Sequence, residues 1–137
     1  MATKATPSIY RLILEVASLD RAEAFYGKLL RAKGRRVGGG RLYFDCGPVI
    51  LALLEPSADG TRRRARPNPQ VVYFGTRDIE GVYRRARRLR CLWKERSHNE
   101  RMDAIVVRPW GERSFYVRDP FGNPLCFVDD RTRFTGK

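Results

Sequence analysis

The side chains with chemistry to offer are few. The chain has one histidine, His98 in SHNERMD, and three cysteines, Cys46, Cys91 and Cys126. An odd cysteine count without framework spacing argues against a disulfide scaffold and for a reducing cytoplasm. The richest run is RPWGERSFYVRDPFGNPLCFVDD, from Arg108 to Asp130. It reads as two strands joined by a turn at Asp119-Pro120-Phe121-Gly122-Asn123, where proline presets φ and glycine accepts a positive φ. Alternation puts Ser114, Tyr116 and Arg118 on one face of the first strand, and Cys126 falls in the second. Near the N-terminus, Arg11, Ile13 and Glu15 share one face of RLILE by the same rule. An arginine there could hold a carboxylate, phosphate or enolate bidentately. It could also stabilise developing negative charge while Glu15 or Tyr116, the candidate catalytic groups, moves a proton. The plainer reading pairs Arg11 with Glu15. Cys126 reads either as a reactive thiol or as an inert small hydrophobe, and His98 as an exposed loop residue.

These residues need elements to position them, and the elements come twice. LEVASLDRAEAFY from Leu14 and FGTRDIEGVYRRA from Phe74 share one pattern: an extended segment, a polar cap, then a helix. The first helix is predicted from about Asp20 to Ala32, with Ala22, Phe25, Tyr26 and Leu29 at helical spacing. Asp20 and Glu23 would form its capping box and Gly34 would end it. The second is predicted from about Ile79 to Arg90, capped by Asp78, with Ile79, Val82, Tyr83, Ala86 and Leu89 as its apolar stripe. Its arginines fall mostly outside that stripe, first a solvated face and second a binding surface. After the first helix, strands are predicted near Arg35–Val37, Arg41–Cys46 and Val49–Leu54, with turns at Gly38-Gly39-Gly40 and Gly47-Pro48. After the second they are predicted at Leu92–Glu95, Arg113–Arg118 and Leu125–Asp129. Each half is therefore strand, helix, three strands. One domain over 1–137 is expected, with modules at 8–55 and 70–130 and an exposed, mobile linker at 56–69.

A chain of 137 residues with 42% hydrophobic content can build a core without a disulfide or metal. The longest apolar run, Val49 to Leu54, suits a buried strand and is far too short to span a bilayer. MATKATPS lacks the apolar run of a signal peptide, so a soluble cytoplasmic protein without a membrane partner is expected. The net charge of +13, mostly arginine, favours anionic over cationic partners but does not choose among a solvated surface, acidic small molecules and nucleic acid.

SLDRAEAFYGKLL and PWGERSFYVRDPFGNPL, in this duplicated pattern, resemble the vicinal oxygen chelate superfamily, which includes glyoxalase I, extradiol dioxygenases, and fosfomycin- and bleomycin-resistance proteins. The resemblance covers nearly the whole chain. It implies an α+β fold of two βαβββ modules forming a half-open mixed β-barrel around a pocket. Catalytic relatives hold a divalent metal there through histidines and carboxylates on the first and fourth strands of each module. Transferred residue by residue, those positions fall on Arg11, Val71, Cys126 and, by analogy of Gly47 with Gly122, Leu51. One thiolate cannot replace two imidazoles and a carboxylate, so no metal and no cofactor is expected. In extradiol relatives a tyrosine precedes the glutamate ligand by ten residues, and Tyr116 matches that place. The expected ligand-binding face holds Arg11, Ile13, Glu15, Leu51, Val71, Tyr73, Ser114, Tyr116 and Cys126, with Val49, Leu53 and Val128 beside them. Trp110 and Trp93 would cap its mouth or serve as core or dimer contacts.

Three functions follow, in order. The first is metal-independent binding of an anionic or neutral aromatic small molecule. The second is an enzyme of the same superfamily (lyase, isomerase or dioxygenase-like) acting on an acidic small molecule. The third, possible but not favoured, is a nucleic-acid-binding module using Arg62–Arg66 and Arg84–Arg90. Family resemblance also implies a homodimer.

Overall fold

In the computed structural model, residues 6–97 and 99–137 are described, apart from the side chains of Asp59 and Ser97. His98 lies outside them. The first half runs β1 (Arg11–Glu15), α1 (Leu19–Leu30), β2 (Arg35–Val37), β3 (Arg41–Cys46) and β4 (Val49–Leu54). The second runs β5 (Val72–Thr76), α2 (Ile79–Arg88), the hairpin β6 (Arg96–Ser97) and β7 (Glu100–Arg101), β8 (Val106–Val107), β9 (Arg113–Arg118) and β10 (Pro124–Asp129). Short 3-10 turns follow β4 and β10.

The helices form where the apolar period demands, but α1 is capped differently from expectation. Ser18, not Asp20, is the N-cap and accepts from the Arg21 N–H. Asp20 and Glu23 instead hold Arg36 of β2. Arg31 ends α1 in the left-handed region. Gly34 is needed for a different reason, since a Cβ there would sit 2.8 Å from Leu42 and 2.9 Å from Phe44. Asp78 caps α2 as expected, accepting from the Gly81 N–H.

Each half builds a four-stranded mixed sheet, ordered β1-β4-β3-β2 and β5-β10-β9-β8. The outer strand of the second sheet departs from expectation. Leu92–Glu95 contributes only a bridge from Leu92 to Val117. The chain then leaves the sheet for the β6–β7 hairpin and returns as β8 against Ser114 and Arg113. The helix-facing sides of both sheets and both helices merge into one core, with Tyr26, Phe44, Phe115, Leu51 and Leu125 fully buried.

A polar staple crosses that core. The buried Tyr26 hydroxyl donates to Asp119 Oδ2 at 2.6 Å. The same carboxylate accepts from Phe121 N, Asn123 N and Asn123 Nδ2 at 2.8–2.9 Å. Asn123 Nδ2 also donates to the Glu15 carbonyl, while Asn123 Oδ1 accepts from the Asn68 N–H. The DPFGN sequence therefore does more than turn the chain, with Gly122 at φ 89° completing it. It ties α1, the end of β1 and the 56–69 segment to the second sheet.

Candidate functional site

Strand register decides which side chains share the face opposite the helices. On the first sheet Arg11 pairs with Ile50, Ile13 with Ala52 and Glu15 with Leu54. Asp45, Tyr43 and Arg41 of β3 join the same face. Leu51 does not, because it packs into the helix-facing core with Leu53. The expected inward set Val49, Leu51, Leu53 is thus displaced by one residue, and a one-residue shift exchanges the faces of a strand. The reason lies in the turns. Both strands restart two residues after the glycine, but Val49 pairs with Cys46 on the helix-facing side, whereas Pro124 pairs with Arg118 on the opposite side. Counting from the glycine of each turn therefore lands on opposite faces.

Arg11 and Glu15 share a face but not a bond. Arg11 Nη1 donates to the Tyr43 hydroxyl at 3.2 Å and its guanidinium lies 5.1 Å from the Tyr10 ring centroid. Glu15 is claimed from the 56–69 segment. Arg63 grips it with both terminal nitrogens, one at 2.6 Å, and the Arg66 N–H adds a third bond. The segment is mostly exposed, apart from the buried Pro56 and the half-buried Ala65 and Asn68, and is tethered at Glu15 and Asn123. Hydrogen bonding to Arg63, set against burial and aided by Arg66, holds the Glu15 carboxyl at about 2, well below its ordinary value. A depressed folded-state pKa contributes stability that is complete above about pH 4.5 and is lost as pH falls toward 2. Arg63→Gln should therefore cost about 1 kcal/mol at pH 7, the upper end for a partly exposed pair. Thermal melts of both proteins from pH 7 to pH 2 should show that gap closing below about pH 4.5. A gap constant over that range would contradict the clasp.

The second sheet gathers more of the expected residues. Tyr73 pairs with Cys126, and Cys126 with Tyr116. Tyr116, Cys126, Val128 and Met102 form a small second core, with Val71 and Trp93 packed against it. Tyr73 and Tyr116 meet edge to face at 6.5 Å, as do Trp93 and Tyr116 at 6.2 Å. This face is not open throughout. The excursion between Leu92 and β8 covers it, leaving Cys126 at 0% and Tyr116 at 4% exposure, while Tyr73 remains 56% exposed. Burial pushes the Cys126 thiol up to about 12, although Ser114 and Tyr116 pull the other way. Burial, then the neighbouring Cys126 and Tyr73, push the Tyr116 hydroxyl above its ordinary 10.

Arg108 holds this cover down, and nothing in the sequence singled it out among so many arginines. It is 3% exposed. Its Nε donates to Ser114 Oγ at 2.9 Å, and Nη2 to the Ser114 carbonyl at 2.9 Å. Nη1 reaches the Arg101 carbonyl at 2.8 Å and Nη2 the Ala104 carbonyl at 3.5 Å. Its guanidinium lies 5.0 Å from the Tyr116 ring centroid. Among the described residues it meets no carboxylate. Among the described residues, the buried Trp93 Nε1 nearby has no hydrogen-bond partner. Trp110 sits in the β8–β9 turn, where its Nε1 donates to Glu112.

Of the four positions transferred from metal-binding relatives, Arg11 carries a guanidinium, Val71 an aliphatic side chain and Cys126 a buried thiol, while Leu51 faces the helices. Only the thiol has a lone pair suited to a divalent cation, and at a pKa near 12 it stays protonated. Among the described residues, no three His, Cys, Asp or Glu side chains converge. These residues do not fit the metal that such a pocket holds elsewhere.

Comparison with known proteins agrees with this architecture. No curated protein matches the sequence. Among solved structures, the fold resembles that of the oxidase ChaP-H2 (20% identity, TM-score 0.72, 96% of this chain and 98% of that one). It also resembles TioX from Micromonospora sp. ML1 (17%, TM-score 0.68, 90% and 99%). A lactoylglutathione lyase from Agrobacterium tumefaciens is similar as well (25%, TM-score 0.64, 92% and 96%). With its two helix-bearing mixed sheets, and a sequence that matches the family profile over residues 8–127, the chain belongs to the Glyoxalase/Bleomycin resistance protein/Dioxygenase superfamily.

Proposed function

We propose that the chain binds a neutral or anionic aromatic small molecule on the face opposite its helices, without a divalent metal or other cofactor. The observation that carries this reading is Arg11. It stands where relatives place a metal ligand, and its guanidinium meets a tyrosine hydroxyl and a tyrosine ring but no carboxylate among the described residues. A cation held this way can pair with a carboxylate or stack on a ring. Tyr73, exposed beside Tyr116, offers an aromatic wall. Ile9, Tyr10, Ile13 and Tyr73 are large apolar side chains left in solvent, and a second copy of the chain covering them would form a homodimer with the ligand enclosed between subunits. A cytoplasmic setting suits the free thiols; no helix among the described residues is long and apolar enough to cross a membrane.

The enzymatic reading has less support. Glu15 is committed to Arg63, and Tyr116 is buried with a raised pKa, so neither proton carrier is poised near neutrality. A thermal-shift screen of benzoate-type acids and their neutral amides tests the binding reading. The expected result is a dose-dependent rise in Tm for some of them, with affinity for the acids about tenfold weaker in Arg11→Gln, the loss of roughly one charged hydrogen bond. No response to any member of the panel, acid or amide, would contradict it.

A further inference from the structure

The face of the molecule formed by the helices carries a second feature. Between the C-terminal end of α1 and the length of α2 lies a groove of about 580 Å³ lined by Lys28, Arg31, Arg84, Arg85 and Arg88, with Leu89. The one carboxylate lining it, Asp78, is already spent as the α2 N-cap. The basic surface continues past the groove, since Arg87 shares a further depression with Arg84 and Arg88, and another with Arg90 and Lys94.

These cations differ from the arginines elsewhere. Arg35 is neutralised by Asp45, Arg36 by Asp20 and Glu23, and Arg113 by Glu80 and Asp129. Among the described residues, no carboxylate lies within ion-pair distance of Lys28, Arg31, Arg84, Arg85, Arg87 or Arg88. Arg84 and Arg88 stand four apart on one helix, a spacing at which like charges destabilise. Burial lowers the pKa of Arg85; Asp78 opposes that, while the charges of Arg31 and Arg84 add to it. Crowding of this kind is relieved by an anion supplied from outside.

The shape and composition of the track select the anion. It extends over several separate depressions, more than a single phosphate would occupy. It holds no aromatic side chain on which an unpaired base could stack. Its apolar content is too small for the core of a protein interface. Arginine forks suit phosphate oxygens. We propose that the α1–α2 face binds the phosphodiester backbone of a nucleic-acid duplex without reading its sequence.

The test is fluorescence anisotropy of the full chain with a labelled random-sequence duplex, titrated across KCl concentrations. Affinity is expected to fall steeply with salt, with a log–log slope on the order of −4 to −6. Arg84→Gln/Arg88→Gln should flatten that slope by about 2 and weaken binding at 100 mM KCl by roughly tenfold or more. Arg62→Gln/Arg64→Gln, which removes the same charge from the 56–69 segment, should change affinity by less than about threefold. The helix variant should melt at or above the wild-type temperature, because it relieves repulsion, and so separates lost binding from lost folding. Three outcomes would overturn the proposal. One is no binding at 50 mM KCl. Another is equal weakening by both double variants, which would mean diffuse charge. The third is displacement of the duplex by polyglutamate as readily as by unlabelled duplex, which would assign the face to an acidic protein.

Discussion

Asp119→Ala is expected to destabilise the protein by about 4 kcal/mol, at the top of the range for single substitutions. The carboxylate accepts four hydrogen bonds at 2.6–2.9 Å in an environment that leaves it 4% exposed. Hydrogen bonds to a charged group contribute about 1.5–3 kcal/mol each, but bonds to one acceptor do not add fully. Truncation also strands the Tyr26 hydroxyl, which is 0% exposed and, among the described residues, donates to Asp119. For a domain of this size the loss corresponds to a fall in Tm of roughly 15 °C. Tyr26→Phe, which leaves Asp119 three of its donors, should cost only about 1–2 kcal/mol. Urea denaturation of both single variants and the double variant measures the coupling. Losses that simply add would contradict the staple.

Arg108→Ala is expected to cost about 3 kcal/mol and, more tellingly, to make Cys126 reactive. The guanidinium joins Ser114 on the sheet to the carbonyls of Arg101 and Ala104 in the covering excursion. A buried cation without a carboxylate carries its own desolvation penalty, so the net loss is smaller than its bonds would sum to. Removing it takes one donor from each of those oxygens and, from the Tyr116 ring, the side chain that packs on it. In the native wild type, a fully buried thiol at about 12 should resist alkylation at pH 8. In the variant, peptide mapping after iodoacetamide should find Cys126 labelled while the protein is still folded. A folded variant with Cys126 still protected would show that the cover is held by something other than Arg108.

Much of the architecture was legible because it rests on local periodicity. The apolar spacings of Ala22–Leu29 and Ile79–Ala86, the Asp78 cap and the DPFGN turn each force one backbone solution. The match of LEVASLDRAEAFY with FGTRDIEGVYRRA then gives two equivalent sheets. Long-range pairing was not legible in the same way. Nothing local shows that Arg63 will travel to Glu15, although that bond decides that Glu15 is no free base. Nor does the run from Trp93 to Ile105 carry a period, so its path over Tyr116 and Cys126 comes only from tertiary contacts such as Arg108. Leu51 falls on the helix side because the first hairpin turns after a helix-facing residue, Cys46, and the second after one on the opposite face, Arg118.

The site was legible in part. Alternation puts Ser114 beside Tyr116, the family resemblance adds Tyr73 and Cys126, and strand pairing sets the four on one face of the second sheet. Arg11 and Ile13 share the solvent-facing side of the first sheet, as alternation requires, and Arg11 meets Tyr43 there rather than Glu15. What alternation could not reveal is the depth of each residue. Cys126 and Tyr116 lie beneath a cover, while Ile13 at 48% and Tyr73 at 56% exposure stand open to solvent.

If Arg11 stands in for a metal ligand, the native protein carries an organic molecule on this face and no metal. A native mass spectrum of the protein purified without chelators decides this. The expected spectrum is a dimer whose mass is that of two metal-free chains, with any excess belonging to an organic ligand. One divalent metal per chain, retained through buffer exchange, would contradict it and would mean that the transfer of ligand positions to Arg11, Val71 and Cys126 is wrong.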